Sequence, residues 1–528
     1  MKKNKKTIII IGVLIGLLVI GTVVFFIFKK NIFTTVDTSI KNSNSEYKIS
    51  DNTLNNFDLY FMQKENNSKN KIYSPLSIKY ALSMLKDGTN KDSKTQIENI
   101  IGDYKPKKYT NSSNISLANA MFIRNDYKKS VKDEYINLLK EKYNAEIIYD
   151  AFKTPDNINK WISNKTLGLI PNMLDDTSNN FFFLVNALGI DMEWKYVIQP
   201  VPEGMLYDNE HTSYYNAFSV SYPHEDYYTG VSWLDSNYYR YIKFNNQALV
   251  NGLEIASSIN NYDIVSEIGE ASIRKTVGSA YDKWKAEGNC DPSDYEDTNV
   301  FLNRYVKELD KGYKDVGSST DYTFYVDDDI KVFQKDLKSY NGLSLEYIGF
   351  MPKNSSLDKF IENINAKKLN NYISKLKTIE LNNFTKGKIT RITGLMPIFK
   401  FEYELELQKD LESLGVTNVF IPNHANLINL SSDKDLYISE IKHKANIEFS
   451  NEGIKAAAAT AVGGAGDVNC SFEYLYDVPV EEIDITFDKP YMFIIRDKNS
   501  QETWFAGTVY EPISCDESET CFISDNPM

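Results

Sequence analysis

The chain is poor in the residues that common catalytic and metal sites require. Its 528 residues include four cysteines and four histidines. The cysteines, at positions 290, 470, 515 and 521, fit no metal-binding spacing. The sequence also lacks a Gly-x-Ser-x-Gly elbow, a His-Glu-x-x-His motif and a phosphate-binding loop. We therefore predict that the chain is not an enzyme and has no catalytic residue, metal or cofactor.

Basic residues are too few and too scattered for nucleic-acid binding. Lys and Arg number 59 against 72 Asp and Glu, which gives a net charge of −13. No basic cluster occurs beyond the N-terminus, whereas nucleic-acid-binding domains carry a concentrated basic surface. We predict that nucleic acid is not a partner.

Residues 7–28 carry no charge at all. As a helix this segment would be roughly 33 Å long, enough to span the core of a bilayer. The lysines of residues 1–6 outweigh the two that follow the segment, so we predict a signal-anchor helix in the cell membrane, with a cytoplasmic N-terminus and an extracellular domain. A signal peptide cleaved at an unrecognised site is the alternative. Residues 31–50, rich in Asn, Ser and Thr, are predicted to form a flexible linker.

Small side chains alternate in the stretch that follows Gly453. One face of a strand would carry Ile454, Ala456, Ala458, Thr460 and Val462. The other face would carry Lys455, Ala457, Ala459 and Ala461. Glycines at positions 463, 464 and 466 leave a stable helix little room to propagate. The pattern predicts a loop that can become a strand and bury one small, mostly apolar face in a sheet.

Several further motifs occur in the order found in the serpin family, which the chain resembles over most of its length. They are Tyr73–Ile78 with Ala81–Leu85, Ile158–Trp161, Phe182–Ala187 with Trp194, Leu436–Ala445 and Phe505–Gly507. The resemblance implies an α+β fold for residues 51–512, with three β-sheets, about nine helices and an exposed reactive-centre loop. It identifies the hinge of that loop as Glu452, Gly453, Ile454, Lys455, Ala456, Ala457, Ala458, Ala459 and Thr460.

An insertion, predicted at about residues 198–328, departs from the family pattern. Its first part is crowded with tyrosine. Apolar residues of its second part fall in two helical stripes: Ile273, Val277, Tyr281 and Trp284, then Phe301, Tyr305, Leu309 and Tyr313. We predict a mainly helical elaboration packed on the fold, or alternatively a docking surface for a partner.

The reactive-centre loop, at about residues 451–486, is longer than is usual for the family. Counting from the hinge glycine as the family pattern does places the scissile bond at Asp467–Val468. Leu475–Tyr476, in an aromatic patch that begins at Phe472, is the alternative. No Lys or Arg follows the hinge alanines within the loop, so a trypsin-like target is not expected.

The mechanism implied by the resemblance is irreversible suicide inhibition of an extracellular serine or cysteine endopeptidase. The protease attacks the loop and forms an acyl-enzyme, and the freed hinge inserts into the central sheet with the protease still attached. Asn451 and Lys455 replace residues that are usually acidic in inhibitory members. The alternative is therefore a non-inhibitory surface binding or adhesion module with the same fold. We expect a monomer in either case.

Four polar residues and one tryptophan resemble the structural residues around the opening of the family's central sheet. They are Ser74, Ser77, Asn186, Trp194 and His443. We expect these side chains to hold strands together or apart, and none of them to be catalytic.

The cysteines leave several pairings open. Residues 513–528 form an acidic tail, in which Cys515 and Cys521 could form a disulfide outside the cell. Cys470 falls in the reactive-centre loop, where it could pair with Cys290 or react with a partner.

Overall fold

A computed structural model of the chain describes residues 44–196, 231–232, 240–246, 248–260, 265, 268–288, 292–310, 322–377, 389–439, 441–450, 453–454, 472 and 480–513. The predicted membrane anchor, most of the predicted linker and all four cysteines lie outside these residues. Among the residues described, no helix is long and apolar enough to cross a membrane.

Ten α-helices occur in the described part of the chain, against about nine predicted. They are α1 (Asn56–Lys64), α2 (Pro75–Gly88), α3 (Lys91–Ile101), α4 (Asp133–Tyr143), α5 (Asp156–Lys165), α6 (Glu270–Ala286), α7 (Thr298–Asp310), α8 (Leu357–Asn363), α9 (Ala366–Ile373) and α10 (Leu407–Ser413). Short 3-10 helices cover Asn44–Tyr47, Asn125–Tyr127, Pro292–Asp294 and Asn418–Phe420.

The strands are spread along the whole described chain. They are β1 (Lys71–Tyr73), β2 (Ile115–Arg124), β3 (Glu146–Asp150), β4 (Phe182–Ile190), β5 (Met192–Glu193), β6 (Val231–Ser232), β7 (Arg240–Phe244), β8 (Ala248–Asn260), β9 (Tyr322–Val326), β10 (Ile330–Asp336), β11 (Leu345–Pro352), β12 (Ile389–Pro397), β13 (Phe399–Leu405), β14 (His443–Phe449), β15 (Gly453–Ile454), β16 (Val480–Asp484), β17 (Tyr491–Asp497) and β18 (Thr503–Val509).

Two of the sheets are continuous and the central one is divided. A six-stranded sheet has the order β1-β18-β17-β11-β10-β9, and a five-stranded sheet has the order β16-β12-β8-β7-β6. The central sheet consists of β3-β2-β4 on one side and β13-β14 on the other, and β15 pairs with β5. The division separates β4 from β14, which defines the candidate site described below.

Helix α2 forms the floor beneath the central sheet. Ser74 caps its start, because the Ser74 Oγ accepts the N–H of Ser77 at 3.1 Å, and Pro75 at the first helical position has no N–H to satisfy. Leu76 and Leu82 are fully buried, and the helix contacts both β4 and β18. The helix therefore joins the central sheet to the six-stranded sheet through one hydrophobic core.

Helices α6 and α7 form a second, smaller core of their own. Ile273, Val277 and Tyr281 of α6 pack with Phe301 and Tyr305 of α7, as the predicted helical stripes require. The side chain of Leu309, and all of Tyr313, lie outside the described residues.

The range 198–328 is not helical throughout. Strands β7 and β8 lie within it and belong to the five-stranded sheet, and β9 lies within it and belongs to the six-stranded sheet. The longest of them, β8, escaped the prediction because its apolar and polar residues do not alternate strictly, so its pairing partners decide the structure.

A buried ion pair between Asp58 and Lys79 is predicted to contribute to the stability of the core. Asp58 Oδ1 lies 2.5 Å from Lys79 Nζ, and both side chains are fully buried. Replacing Asp58 by alanine would leave the ammonium buried without a counter-charge, so Asp58→Ala should lower the free energy of unfolding by about 3–5 kcal/mol in urea denaturation. The exposed Asp328, which lies outside any helix, provides the control, and Asp328→Ala should change the free energy of unfolding by less than about 0.5 kcal/mol. Equal effects of the two substitutions would contradict this prediction.

Candidate functional site

A cavity of about 360 Å³ separates β4 from β14. In the described part of the chain, β4 pairs only with β2 and β14 only with β13. The two strands line the cavity on opposite sides, α2 contributes to its floor, and α5 and the segment after it contribute to its roof. The facing edges of β4 and β14 therefore present backbone N–H and C=O groups that could pair with another strand.

The chain turns into the mouth of this gap directly after β14. Trp194 Nε1 donates to the carbonyl of Ser450 at 2.9 Å and fixes the chain where it leaves the strand. Strand β15 then pairs antiparallel with β5 and also contacts β14. Since β5 continues the line of β4 after Asp191, β15 lies at one end of the gap, paired with the β4 side and in contact with the β14 side.

His443 ties the start of β14 to α2. Its Nε2 accepts the backbone N–H of Ser74 at 2.9 Å, and the Ser74 Oγ donates to the carbonyl of Trp504 at 2.6 Å. Burial lowers the pKa of His443 to about 4. The ring is therefore neutral at physiological pH, with its proton on Nδ1. The structure thus brings Ser74, Ser77 and His443 together at the floor of the gap.

Asn186 faces this cluster from β4, on the other side of the gap. Its Nδ2 donates to Asn119 Oδ1 at 2.8 Å, and Asn119 Nδ2 donates to the carbonyl of Tyr143 at 2.8 Å. The Oδ1 of Asn186 is buried and has no hydrogen-bond partner among the residues that the structure describes. This atom is therefore an available acceptor for a hydrogen-bond donor that enters the gap.

The segment after α5 covers the gap from the other face. A Cβ atom added to Gly189 of β4 would come within 2.8 Å of the Thr166 backbone, so only glycine permits this close approach. On the opposite strand, Asn446 Nδ2 donates to the carbonyl of Leu169 at 3.3 Å. A strand that enters the gap must therefore pass beneath this segment.

The remaining predicted site residues lie outside the described part of the chain. They are Glu452, Lys455, Ala456, Ala457, Ala458, Ala459, Thr460, Asp467, Val468, Leu475 and Tyr476. Their roles, and the structural roles of the five residues at the gap, stay predictions. Asn119 and Ser450 belong to the site but were not predicted. Asn119 lies directly opposite Asn186 in the ladder of β2 and β4, a relation that only the strand register reveals.

Comparison with known proteins identifies the class to which this fold and gap belong. A family model described as Serpin (serine protease inhibitor) matches residues 52–201 and 318–512. The chain therefore belongs to the serpin family. Members are typically protease inhibitors and not enzymes. The family model leaves out residues 202–317, which include α6 and α7.

Individual relatives agree with this assignment. An uncharacterized serpin-like protein of Methanosarcina acetivorans is 26% identical over 496 residues, covering 88% of this chain and 87% of that protein. Leukocyte elastase inhibitor A of Mus musculus is 30% identical over 217 residues, covering 41% of this chain and 53% of that protein. The crystal structure of the thermophilic serpin tengpin in its native state matches with a TM-score of 0.53 at 18% identity, covering 89% of this chain and 99% of that one. At this identity the structural match shows the fold alone.

The buried His443 predicts a loss of stability in acid. Its pKa of about 4 in the folded protein is below the ordinary value of 6.5, so the unfolded chain takes up the proton first as the pH falls. The stabilisation is complete above pH 6.5 and is lost as the pH falls towards 4, by up to about 3 kcal/mol. His443→Gln should reduce this loss in thermal unfolding measured from pH 7 to 4. His424→Gln, which replaces an exposed histidine, is the control. Identical pH profiles of His443→Gln and the parent would contradict the prediction.

Proposed function

We propose that the protein is a suicide-substrate inhibitor of a serine or cysteine endopeptidase. The observation that carries this proposal is the gap between β4 and β14, with β15 paired at its mouth. A protease that cuts the reactive-centre loop would free the hinge, which would then complete the strand that β15 begins. The membership of the serpin family supports the same mechanism.

The register of β15 defines where each hinge residue would lie. Gly453 pairs with Glu193 and Ile454 with Met192. Continuing this ladder residue by residue along β4 would place Gly464 opposite Phe182, at the far end of the strand. The inserted strand would then be as long as β4 and β5 together, with their one-residue break.

The same register directs the small face of the hinge towards the core. Leu184, Leu188 and Ile190 of β4 pack in or against the main core, and residues directly opposite on a neighbouring strand share their face. The hinge residues on that face would be Ile454, Ala456, Ala458, Thr460 and Val462. The face predicted from alternation to be buried is therefore the one that would meet the core.

In this register, two polar hinge residues would also lie opposite polar partners on the neighbouring strand. Thr460 would lie opposite Asn186 and bring a hydroxyl donor to the buried Oδ1 of that residue. Lys455 would lie opposite Asp191 on the other face, where opposite charges stabilise a cross-strand pair by roughly 0.2–1 kcal/mol. The basic residue that departs from the family pattern is thus compatible with insertion.

Length favours Asp467–Val468 as the scissile bond. Full insertion ends at Gly464 by this register, so a bond at Asp467–Val468 would follow shortly after the inserted strand and carry an attached protease to the far end of the sheet. The uncleaved form is then a kinetically trapped state, and inhibition succeeds when insertion is faster than deacylation. An acidic residue before the bond and the lack of Lys or Arg between Ala456 and Phe487 argue for a target that is not trypsin-like.

The uncharged segment near the N-terminus supports a proposal for the location. We propose that residues 7–28 anchor the protein in the cell membrane, with the inhibitory domain outside. The expected partners are the target protease and the membrane, and the protein is expected to act as a monomer without a cofactor.

One observation favours a second function. Phe472, within the reactive-centre loop, contacts helices α6 and α7. A loop held by this helix pair would also suit a non-inhibitory surface binding or adhesion module.

A protease panel separates these functions. The full-length protein is mixed with serine and cysteine proteases of acidic, aromatic and elastase-like specificity and examined on denaturing gels. We expect a covalent complex with at least one protease, and a released fragment whose N-terminus is Val468 by mass spectrometry. Clean cleavage without a complex across the whole panel would support the binding module.

The hinge register is tested with a protease that forms the complex. Ala458 would lie opposite Leu188 and face the core, so Ala458→Arg would require burial of an unpaired charge and should reduce complex formation at least about tenfold while cleavage continues. Lys455→Arg is the matched control, because its side chain would lie on the other face opposite Asp191. Complex formation by Ala458→Arg at the level of the control would show that the register is wrong.

A further inference from the structure

Phe472 is held by an aromatic pocket on the helix pair α6 and α7. Its ring centroid lies 5.1 Å from that of Tyr281, 5.2 Å from that of Trp284 and 5.6 Å from that of Phe301. The side chain is half-buried and packs against the small core of this helix pair. Aromatic pairs at such distances attract each other beyond the effect of buried area, so these contacts fasten the loop at Phe472.

The pocket is built by contacts that do not involve Phe472. Tyr281 stacks on Phe301 with ring centroids 4.1 Å apart and an interplanar angle of 15°. Tyr281 Oη donates to the carbonyl of Glu296 at 3.1 Å, and Lys285 Nζ donates to Thr298 Oγ1 at 2.5 Å. These bonds connect α6 with α7 and the segment before it. The pocket is therefore part of the fold of the helix pair and does not depend on Phe472.

Phe472 lies between the two paired ends of the reactive-centre loop, so its contact with the helix pair limits how far the uncut hinge can move. The loop is paired at β15 upstream and at β16 downstream, and Phe472 provides an attachment between them. Full insertion of the uncut hinge would consume residues 455–464. Only residues 465–471 would then connect the far end of β4 to the pocket, a span of at most roughly 30 Å. Releasing Phe472 would add the residues up to Val480 to this connection.

We propose that Phe472 is an anchor that fastens the reactive-centre loop to α6 and α7 and keeps the uncut hinge from inserting fully. This proposal rests on the proposed inhibitory function. Cleavage at Asp467–Val468 leaves Phe472 on the released side, so the hinge becomes free at once. Cleavage at Leu475–Tyr476 leaves Phe472 joined to the hinge, so the anchor must open before full insertion. The helix pair would thus determine which cleavage traps a protease.

The first experiment tests the contact itself, in the full-length protein and without any requirement for insertion. A side chain held in the pocket cannot enter the primary specificity pocket of a chymotrypsin-type protease. Trp284→Ala opens one side of the pocket and should increase the rate of cleavage after Phe472, measured by mass spectrometry, by at least about tenfold. Val300→Ala, at an exposed position on α7, is the control and should match the parent. Equal rates for Trp284→Ala and Val300→Ala would overturn the anchor.

The second experiment tests the restraint. The full-length parent and variants are incubated without protease, and the fraction converted to a loop-inserted form is followed by its resistance to thermal unfolding. Phe472→Ala should convert about tenfold faster than the parent, whereas Phe472→Tyr, which keeps the ring, should convert at the rate of the parent. Val300→Ala, at the exposed position on α7, is the control. A conversion rate of Phe472→Ala equal to that of the parent would overturn the restraint.

Nicking the loop distinguishes the failure of this proposal from the failure of the proposed function. If nicking between Asp467 and Val468 raises the thermal midpoint of the parent but Phe472→Ala does not accelerate conversion, insertion occurs and the restraint is wrong. If nicking raises the midpoint of neither protein, the inhibitory function fails and the restraint fails with it. The cleavage assay with Trp284→Ala then still decides whether the anchor exists.

Discussion

The structure depends on two strands that face each other without pairing. In the described part of the chain, strands β4 and β14 each end one half of the central sheet and leave their inner edges unpaired over a cavity of about 360 Å³. Backbone groups along such edges gain hydrogen bonds as soon as a strand is added. The buried Oδ1 of Asn186, which has no partner among the described residues, would also gain a hydrogen bond from a donor on that strand. We therefore propose that filling the gap lowers the free energy of the folded chain and that the intact loop delays this step.

The surroundings of the gap keep its two halves in place while it is open. His443 ties β14 to α2 through Ser74, and Asn446 ties β14 to the segment after α5. Trp194 holds the turn at Ser450, so β15 starts in register with β5. Together these contacts keep β4, β14 and the turn at Ser450 in positions that would allow a new strand to pair between β4 and β14. The pocket that holds Phe472 lies on α6 and α7, which the family model leaves out. In our proposal, these inserted helices regulate the insertion of the reactive-centre loop into the serpin sheet.

Much of the fold could be predicted from the sequence, because its signals are local. A capping serine and a proline mark the start of α2 at Ser74 and Pro75. The helical spacing of Ile273 and Val277 marks the buried face of α6. The contact of Asn119 with Asn186 could not be predicted, since it requires the register of two distant strands. The pocket around Phe472 was missed for a similar reason. Phe472 is far in sequence from the aromatic residues of the pocket, and the sequence pattern indicated only an aromatic patch beside the alternative scissile bond.

The most direct test of the account is a crystal structure of the protein after cleavage of the reactive-centre loop. The account predicts that residues 453–464 form a strand between β4 and β14, with Thr460 opposite Asn186 and Ala458 opposite Leu188. The Thr460 hydroxyl should lie within hydrogen-bonding distance of Asn186 Oδ1. A cleaved protein in which β4 and β14 still enclose an unfilled gap, or pair directly with each other, would contradict the proposed mechanism.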